Sequence, residues 1–355
     1  MNKIIVGVLF GGCSTEYEVS LSSATAVIEH LDRDKYEVVM IGITRDGCWY
    51  RYNGDIKAIR EDRWSEHTSC VPAVLSPSKE TNGLIELVHT EFRITALDIV
   101  FPVLHGKNGE DGTMQGLLEL SGIPFVGCDT LSSAVCMDKA VAKHLVQAAG
   151  IDVPSSITVL AGDSIAEAVA AADKLGFPLY VKPSKSGSSI GITKAYTKQE
   201  LMIGIEEAFS HDDKIVIEQH VVGFEVGCAI LGHSSRRLVV GEIDEIALTG
   251  EFFDHDEKYS LGTAAIHLPA RVDTAMASQV KDMAIRIYRV LGCSGLARVD
   301  LFHTSDGRLL FNEVNTIPGF TAHSRYPNMM NHAGIPFPEL LDRLIASALL
   351  EVSRS

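Results

Sequence analysis

Apolar residues fall in short blocks whose spacing switches repeatedly between strand and helix periods. IIVGVLFGG predicts a strand over 3–10 that turns at Gly11-Gly12. A helix near 20–32 and a strand at about 36–44 follow. LDIVFPVL (97–104) is a continuous buried-strand run, followed by a helix over 113–121, a strand at 123–126 and a helix over about 130–149. Parallel strands with crossover helices are the economical arrangement for this alternation.

GIDVPSS then reads as an interdomain crossing. The middle segment predicts a helix at 163–175, strand FPLYVKP, a Gly/Ser loop, strand SIGITKAY and a helix at 198–210. KIVIEQHV, FEVGCAIL and RRLVVGEIDEI open a mostly antiparallel region. That region continues with a helix at 273–291, strands at 295–303 and 308–315 and a closing helix at about 335–350. The expectation is three α/β or α+β units, over 1–133, 134–214 and 215–355, with sites in the clefts between them.

Length and charge narrow this picture. The 355 residues exceed one ordinary core, and 46% hydrophobic against 22% charged residues is a soluble globular balance. A net charge of −15 with no basic stripe argues against nucleic acid as partner. Seven cysteines (13, 48, 70, 128, 136, 228 and 293) are widely spaced with no C-x-x-C pair, which disfavours a disulfide framework or zinc site and favours a reducing cytosol. No segment approaches 18 continuous apolar residues, so no membrane span is expected.

Chemistry concentrates at the end of the chain. Asp300 sits on one predicted strand, Glu313 and Asn315 on the next, with the turn SDGR between them. Residues two apart on a strand share a face, so the pair can present two carboxylates and an amide oxygen together. That is a hard oxygen set suited to Mg²⁺. A solvated face with one chance ion pair is the plainer alternative, disfavoured by the buried-strand context. Lys182 ends an apolar strand and precedes Gly187-Ser188-Ser189 and Gly191, a loop able to turn its amides onto phosphates. Lys139, on an Ala-rich helix, is a second candidate cation. GGCSTEYEVSLSSA (11–24) is a strand, a Gly turn and a helix start; taken alone it favours capping by Ser14 or Thr15. HGKNGEDG (105–112) follows a buried strand, where open α/β sheets bind ligands.

Together, GGCSTEYEVS, HGKNGEDGTMQG, MDK, VKPSKSGSSIG, EKY, ARVD and NEVNTIPGFTAHSR resemble the D-alanine–D-alanine ligases of the ATP-grasp superfamily along nearly the whole chain. Within that family the chain is most similar to the vancomycin-resistance ligases that join D-alanine to D-serine. The resemblance implies a three-domain ATP-grasp fold and a cytoplasmic homodimer using ATP and two Mg²⁺, with Mn²⁺ a substitute. It implies adenine beside Glu218, His220 and Val221, and ribose on Glu225. Phosphates would lie on Lys139 and Lys182 under a loop that includes Gly187 and Ser189. Asp300, Glu313 and Asn315 would hold the metal ions. Glu18 would grip the first ammonium in a network with Ser188 and Tyr259, overriding the capping preference. Tyr259 would arrive on a mobile loop at about 250–266. His105 and Arg298 would lie near the activated acyl group, and Lys258 and Ser324 would bind the second carboxylate. Arg298 and the Gly319 amide would stabilise the tetrahedral oxyanion. No residue is identified as general base.

Arg325 stands where the housekeeping enzymes usually carry an apolar residue such as Leu. A guanidinium there could hydrogen-bond a serine hydroxyl. A surface Arg paired with an acid is the plainer reading. Retention of Glu257-Lys258-Tyr259 argues against D-lactate, and Phe252 and Phe253 would narrow the pocket. Ala322 departs from the Ser of many members. The expected reaction is ligation of D-alanine to D-serine, with D-alanine as second substrate the near alternative. Another ATP-grasp ligase and a non-catalytic nucleotide-binding module are the more distant ones.

Overall fold

The computed structural model describes residues 3–89, 91–248, 264–321 and 323–352. Phe252, Phe253, Lys258, Tyr259 and most of the loop expected at about 250–266 lie outside them. The chain runs β1 (Ile4–Gly11), α1 (Tyr17–His30), β2 (Tyr36–Ile43), β3 (Trp49–Tyr52), α2 (Ile56–Arg60), β4 (Cys70–Leu75), β5 (Gly83–Val88), β6 (Glu91–Ala96) and β7 (Ile99–Pro102). It continues through α3 (Thr113–Ser121), α4 (Thr130–Met137), α5 (Lys139–Ala148), β8 (Ser156–Leu160), α6 (Ile165–Asp173), β9 (Leu179–Pro183), β10 (Thr193–Ala195), α7 (Lys198–Phe209) and β11 (Lys214–Gln219). The last part holds β12 (Gly223–Leu231), β13 (Val239–Leu248), β14 (Ala264–His267), α8 (Thr274–Val290), β15 (Leu296–Thr304), β16 (Leu309–Asn315), α9 (Arg325–His332) and α10 (Phe337–Val352).

Three sheets result. The first, ordered β6-β5-β4-β3-β2-β1-β7, is parallel only where β1 pairs with β2 and β7; β3 to β6 extend it as an antiparallel meander. The apolar blocks of that meander are short and weakly alternating, so pattern alone predicted nothing across 45–96. The expected strand at 123–126 contributes one bridge, Val100 to Phe125. The second sheet, β10-β9-β11-β8, takes in β11 and so passes the boundary expected at 214; it has its own core around Val181, Leu201 and Ile217. The third is β14-β13-β12-β15-β16.

The first and last segments share one core. Val6, Phe10 and Leu21 belong to the same buried cluster as Tyr326, Met329, Leu340 and Leu344 of the two closing helices. That common core fixes the relation between the helix after β1 and the loop after β16. Among the described residues no helix is long and apolar enough to cross a membrane.

The helix expected over 130–149 is two helices, broken at Asp138. Asp138 is extended (φ −88°, ψ 98°) and its carboxylate accepts Val141 N–H as an N-cap. It also accepts from Ser184 Oγ at 2.7 Å and pairs with Lys214 at 2.5 Å. Three partners on one carboxylate outweigh helix continuity. The break sets Lys139 at the first turn of α5, facing the Gly/Ser loop.

Candidate active site

A cleft of about 990 Å³, counted to its open mouth, lies between the second and third sheets. Lys139, Lys182, Glu218, His220, Val221 and Glu225 line it, together with Gly187 to Ser189 and Glu313. Every residue expected to touch nucleotide is therefore on one wall or another of a single cavity.

β9 and β11 place Lys182 opposite Val216, and the Lys182 ammonium reaches Glu218 on the neighbouring strand. Lys143 on α5 approaches the other oxygen of the same carboxylate at 3.1 Å. Burial alone would raise the Glu218 pKa, but the two ammonium groups overcome it and hold the group down to about 2. Lys182 is correspondingly raised, Glu218 outweighing its burial, whereas burial prevails at Lys143 and lowers it. Both Glu218 oxygens are thus held by ammonium groups, one on Lys182 and one on Lys143. Lys139 donates to the Ser186 carbonyl at 2.7 Å and lies 3.4 Å from Glu313.

Register aligns the acids of the third sheet. Asp244 faces Gly227, Gly227 faces Asp300 and Asp300 faces Glu313, giving one row across β13, β12, β15 and β16. Gly227 leaves a notch in that row, where a Cβ would overlap Arg325 Nη2. Arg325, the first residue of α9, fills it. Its guanidinium meets both Asp244 oxygens at 2.7 Å and lies 3.3 Å from Asp300 and from Glu225. Burial opposes the charge, yet these carboxylates raise the Arg325 pKa well above its ordinary value. Arg298 grips both Asp300 oxygens, at 2.8–3.0 Å, and Asn315 Nδ2 donates to Asp300 at 2.9 Å.

At the opposite wall, Ser188 hydrogen-bonds Glu16. A Cβ on Gly106 or on Gly187 would crowd the same carboxylate, which thus sits between the HGKNGEDG loop and the Gly/Ser loop. Ser324 Oγ accepts Thr321 N–H at 3.0 Å and lies beside Gly319.

The family described as D-ala D-ala ligase N-terminus matches residues 5–128, and that described as D-ala D-ala ligase C-terminus matches 145–346. The chain belongs to the D-alanine–D-alanine ligase family. The vancomycin/teicoplanin A-type resistance protein VanA of Enterococcus faecium is 47% identical over 98% of this chain and 99% of its own. The D-alanine–D-alanine ligase of Caldicellulosiruptor bescii is 43% identical over 98% and 96%. Among solved structures, the VanG D-Ala:D-Ser ligase from Enterococcus faecalis matches with a TM-score of 0.90 and 50% identity, covering 98% of this chain and all of that one. The fold is that of the ATP-grasp ligases.

For a D-alanine–D-alanine ligase, the arrangement corrects one expected contact. Ser188 meets Glu16, not Glu18. Glu18, the second residue of α1, points outward and pairs with Arg45 at 2.5 Å, its side chain 67% exposed. Glu16 is the N-cap residue just before α1, and from that loop end its side chain reaches the Gly/Ser loop. Nor does Ser14 cap by the expected route: its hydroxyl donates to the His105 carbonyl while accepting Glu16 N–H. Pattern could not choose between two acids two residues apart. Asp244, Lys143 and Glu110 also went unread: Asp244 lies between two other acids on its strand, Lys143 is one of several polar residues on α5, and Glu110 is one of the polar residues of the HGKNGEDG loop, so nothing local sets them apart.

Asp300, Glu313 and Asn315 meet as expected. Among the described residues no three His, Cys, Asp or Glu side chains form a metal-binding group. What lies together is two carboxylates and one amide, whose oxygens are all hard donors, with Asn315 presenting its Nδ2 and not its oxygen to Asp300. That set suits a cation completed by phosphate oxygens and water.

Proposed function

We propose that this ligase joins D-alanine to D-serine through a D-alanyl phosphate. The observation that carries the serine assignment is the buried Arg325–Asp244 pair beside Asp300. A hydroxyl both accepts and donates, so a guanidinium next to a carboxylate offers it a partner of each kind, while a methyl group can use neither.

On this reading Glu16 and Ser188 hold the ammonium of D-alanine, and the Glu218, His220 and Val221 segment receives adenine, with Glu225 on the ribose. Lys139 and Lys182 lie along the phosphates under the Gly187–Ser189 amides and offset the charge of the transferring phosphoryl group. Asp300, Glu313 and Asn315 would hold Mg²⁺ or Mn²⁺, which supplies further charge neutralisation at those phosphates. The D-alanine carboxylate attacks the γ-phosphorus and ADP leaves. The neutral amine of D-serine, its carboxylate on Ser324 and Lys258, attacks the acyl phosphate. Arg298 and Gly319 N–H stabilise the oxyanion, and phosphate departs as the peptide bond forms. Tyr259 completes the Glu16–Ser188 network and Phe252 and Phe253 narrow the second pocket. The enzyme works in the cytosol as a homodimer, in peptidoglycan precursor synthesis that confers vancomycin resistance.

The test is product identification by mass with both amino acids present, from pH 6 to 9. D-alanyl-D-serine should dominate over D-alanyl-D-alanine. If D-serine never outcompetes D-alanine at any pH, the second substrate is D-alanine. Nucleotide binding with no phosphate release would instead mark a non-catalytic module.

A further inference from the structure

The loop after β16 contains three N–H groups between Ile317 and Phe320, since Pro318 has none. Two are taken by the N-terminal part of the chain. Ile317 N–H donates to Glu110 Oε1 at 2.8 Å, and Phe320 N–H donates to Ser23 Oγ at 3.1 Å. His105 binds the same loop from the other side, its Nδ1 lying 2.8 Å from the Ile317 carbonyl. A carbonyl only accepts, so Nδ1 carries the ring proton, and burial, which lowers the His105 pKa, keeps the ring neutral. Nε2 is then an acceptor for Ser23 Oγ–H at 3.1 Å. Both ring nitrogens are thereby spent inside the protein. Glu110 Oε2 accepts Gly106 N–H at 2.8 Å, and the His105 carbonyl accepts Ser14 Oγ–H at 2.6 Å, which ties the clamping loop to the segment that carries Glu16. Phe320 is anchored on Phe101, Tyr326 and Phe337.

What remains is Gly319 N–H. Among the described residues it has no hydrogen-bond partner, and Gly319 is half-buried between buried Pro318 and Phe320, next to the Ser324 hydroxyl. A backbone whose neighbours are fixed at three points and which keeps one uncommitted, half-buried donor is preorganised for an anion.

We propose that Ser23, His105 and Glu110 are positioning residues that clamp Ile317–Phe320 from the N-terminal domain and so aim the Gly319 amide at the reacting carbonyl. The His105 ring acts on the loop, not on the acyl group. This rests on the ligase reading above for its catalytic consequence, though not for the clamp itself.

The clamp is tested in the full chain without substrates by amide hydrogen exchange. Ser23→Ala should speed exchange at Phe320 and Glu110→Gln at Ile317, each at least about tenfold, with Ser23→Thr, which keeps the hydroxyl, close to wild type. Under ligase assay, Ser23→Ala and Glu110→Gln should lower kcat about 10–100-fold with KM for ATP little changed, since the misaimed donor acts only in the transition state. Unchanged exchange at both amides overturns the clamp. Accelerated exchange with unchanged kcat, or a loss confined to KM for ATP, overturns its catalytic role. If wild type forms no product from D-amino acids, the ligase reading fails while the exchange data still decide the clamp.

Discussion

Arg325 and Asp244, 81 positions apart in sequence, form a two-point ion pair with both N···O distances at 2.7 Å. Asp244 is fully buried and the Arg325 side chain is 11% exposed. Neither β13 nor the start of α9 is shaped by the other locally; the pair exists because Gly227 on the intervening strand yields its space.

Arg325→Leu therefore has two expected effects. The product ratio of D-alanyl-D-serine to D-alanyl-D-alanine, read by mass in direct competition, should fall at least about tenfold. Stability should fall by about 3 kcal/mol in a denaturant melt, because Asp244 and Asp300 lose a shared cation in a buried site. Equal losses for both products would make Arg325 purely structural.

Gly227→Ala tests the notch directly. A methyl at this position has Arg325, Asp244 and Asp300 atoms in its way, on a sheet that cannot spread. A destabilisation of about 1–3 kcal/mol is expected with a preserved fold. The D-serine preference should weaken as Arg325 is displaced. Ala tolerated with unchanged selectivity would show that the guanidinium can sit elsewhere.

The two acids of GGCSTEYEVS should separate cleanly. Glu16→Gln, at the residue bonded to Ser188, should reduce kcat/KM for the first D-alanine by about 100-fold or more, as expected on losing a charge-assisted contact. Glu18→Gln removes only an exposed pair with Arg45 and should stay within about twofold. Steady-state kinetics at fixed ATP distinguishes them.

Glu218 predicts the acid limb of stability. Its folded pKa, about 2, lies below the ordinary carboxylate value of 4.5, so its contribution is present above pH 4.5 and is lost as pH falls towards 2. Glu110 runs the other way. Burial, then the charge of Glu16, pushes it up to about 8 against two backbone N–H donors. Its contribution is full below pH 4.5 and is lost as pH rises through 8. Chemical denaturation across pH 3–9 should show a flatter alkaline limb for Glu110→Gln and a flatter acid limb for Glu218→Gln.

Much of the site was legible because it lies on regular elements. Glu313 and Asn315 share a strand face, and the antiparallel partner carrying Asp300 precedes it across a four-residue turn, so local geometry alone brings them together. Lys182 and the Gly/Ser loop are likewise consecutive. The meander from β3 to β6 was not legible, because its strands are only four to six residues long, weakly alternating and held by cross-strand pairing that single-strand pattern does not register.

By itself the sequence determined most element types outside 45–96, the family, and the polar residues that meet through strand alternation or a short turn, since those contacts need only local backbone geometry. Tertiary structure alone decided which of Glu16 and Glu18 enters the cleft, where the helix over 130–149 breaks, and what Arg325 and Glu110 hold. Each of those outcomes depends on a buried charge or N–H finding its partner from a distant segment, and the shared core of the first sheet and the closing helices fixes which partner is in reach.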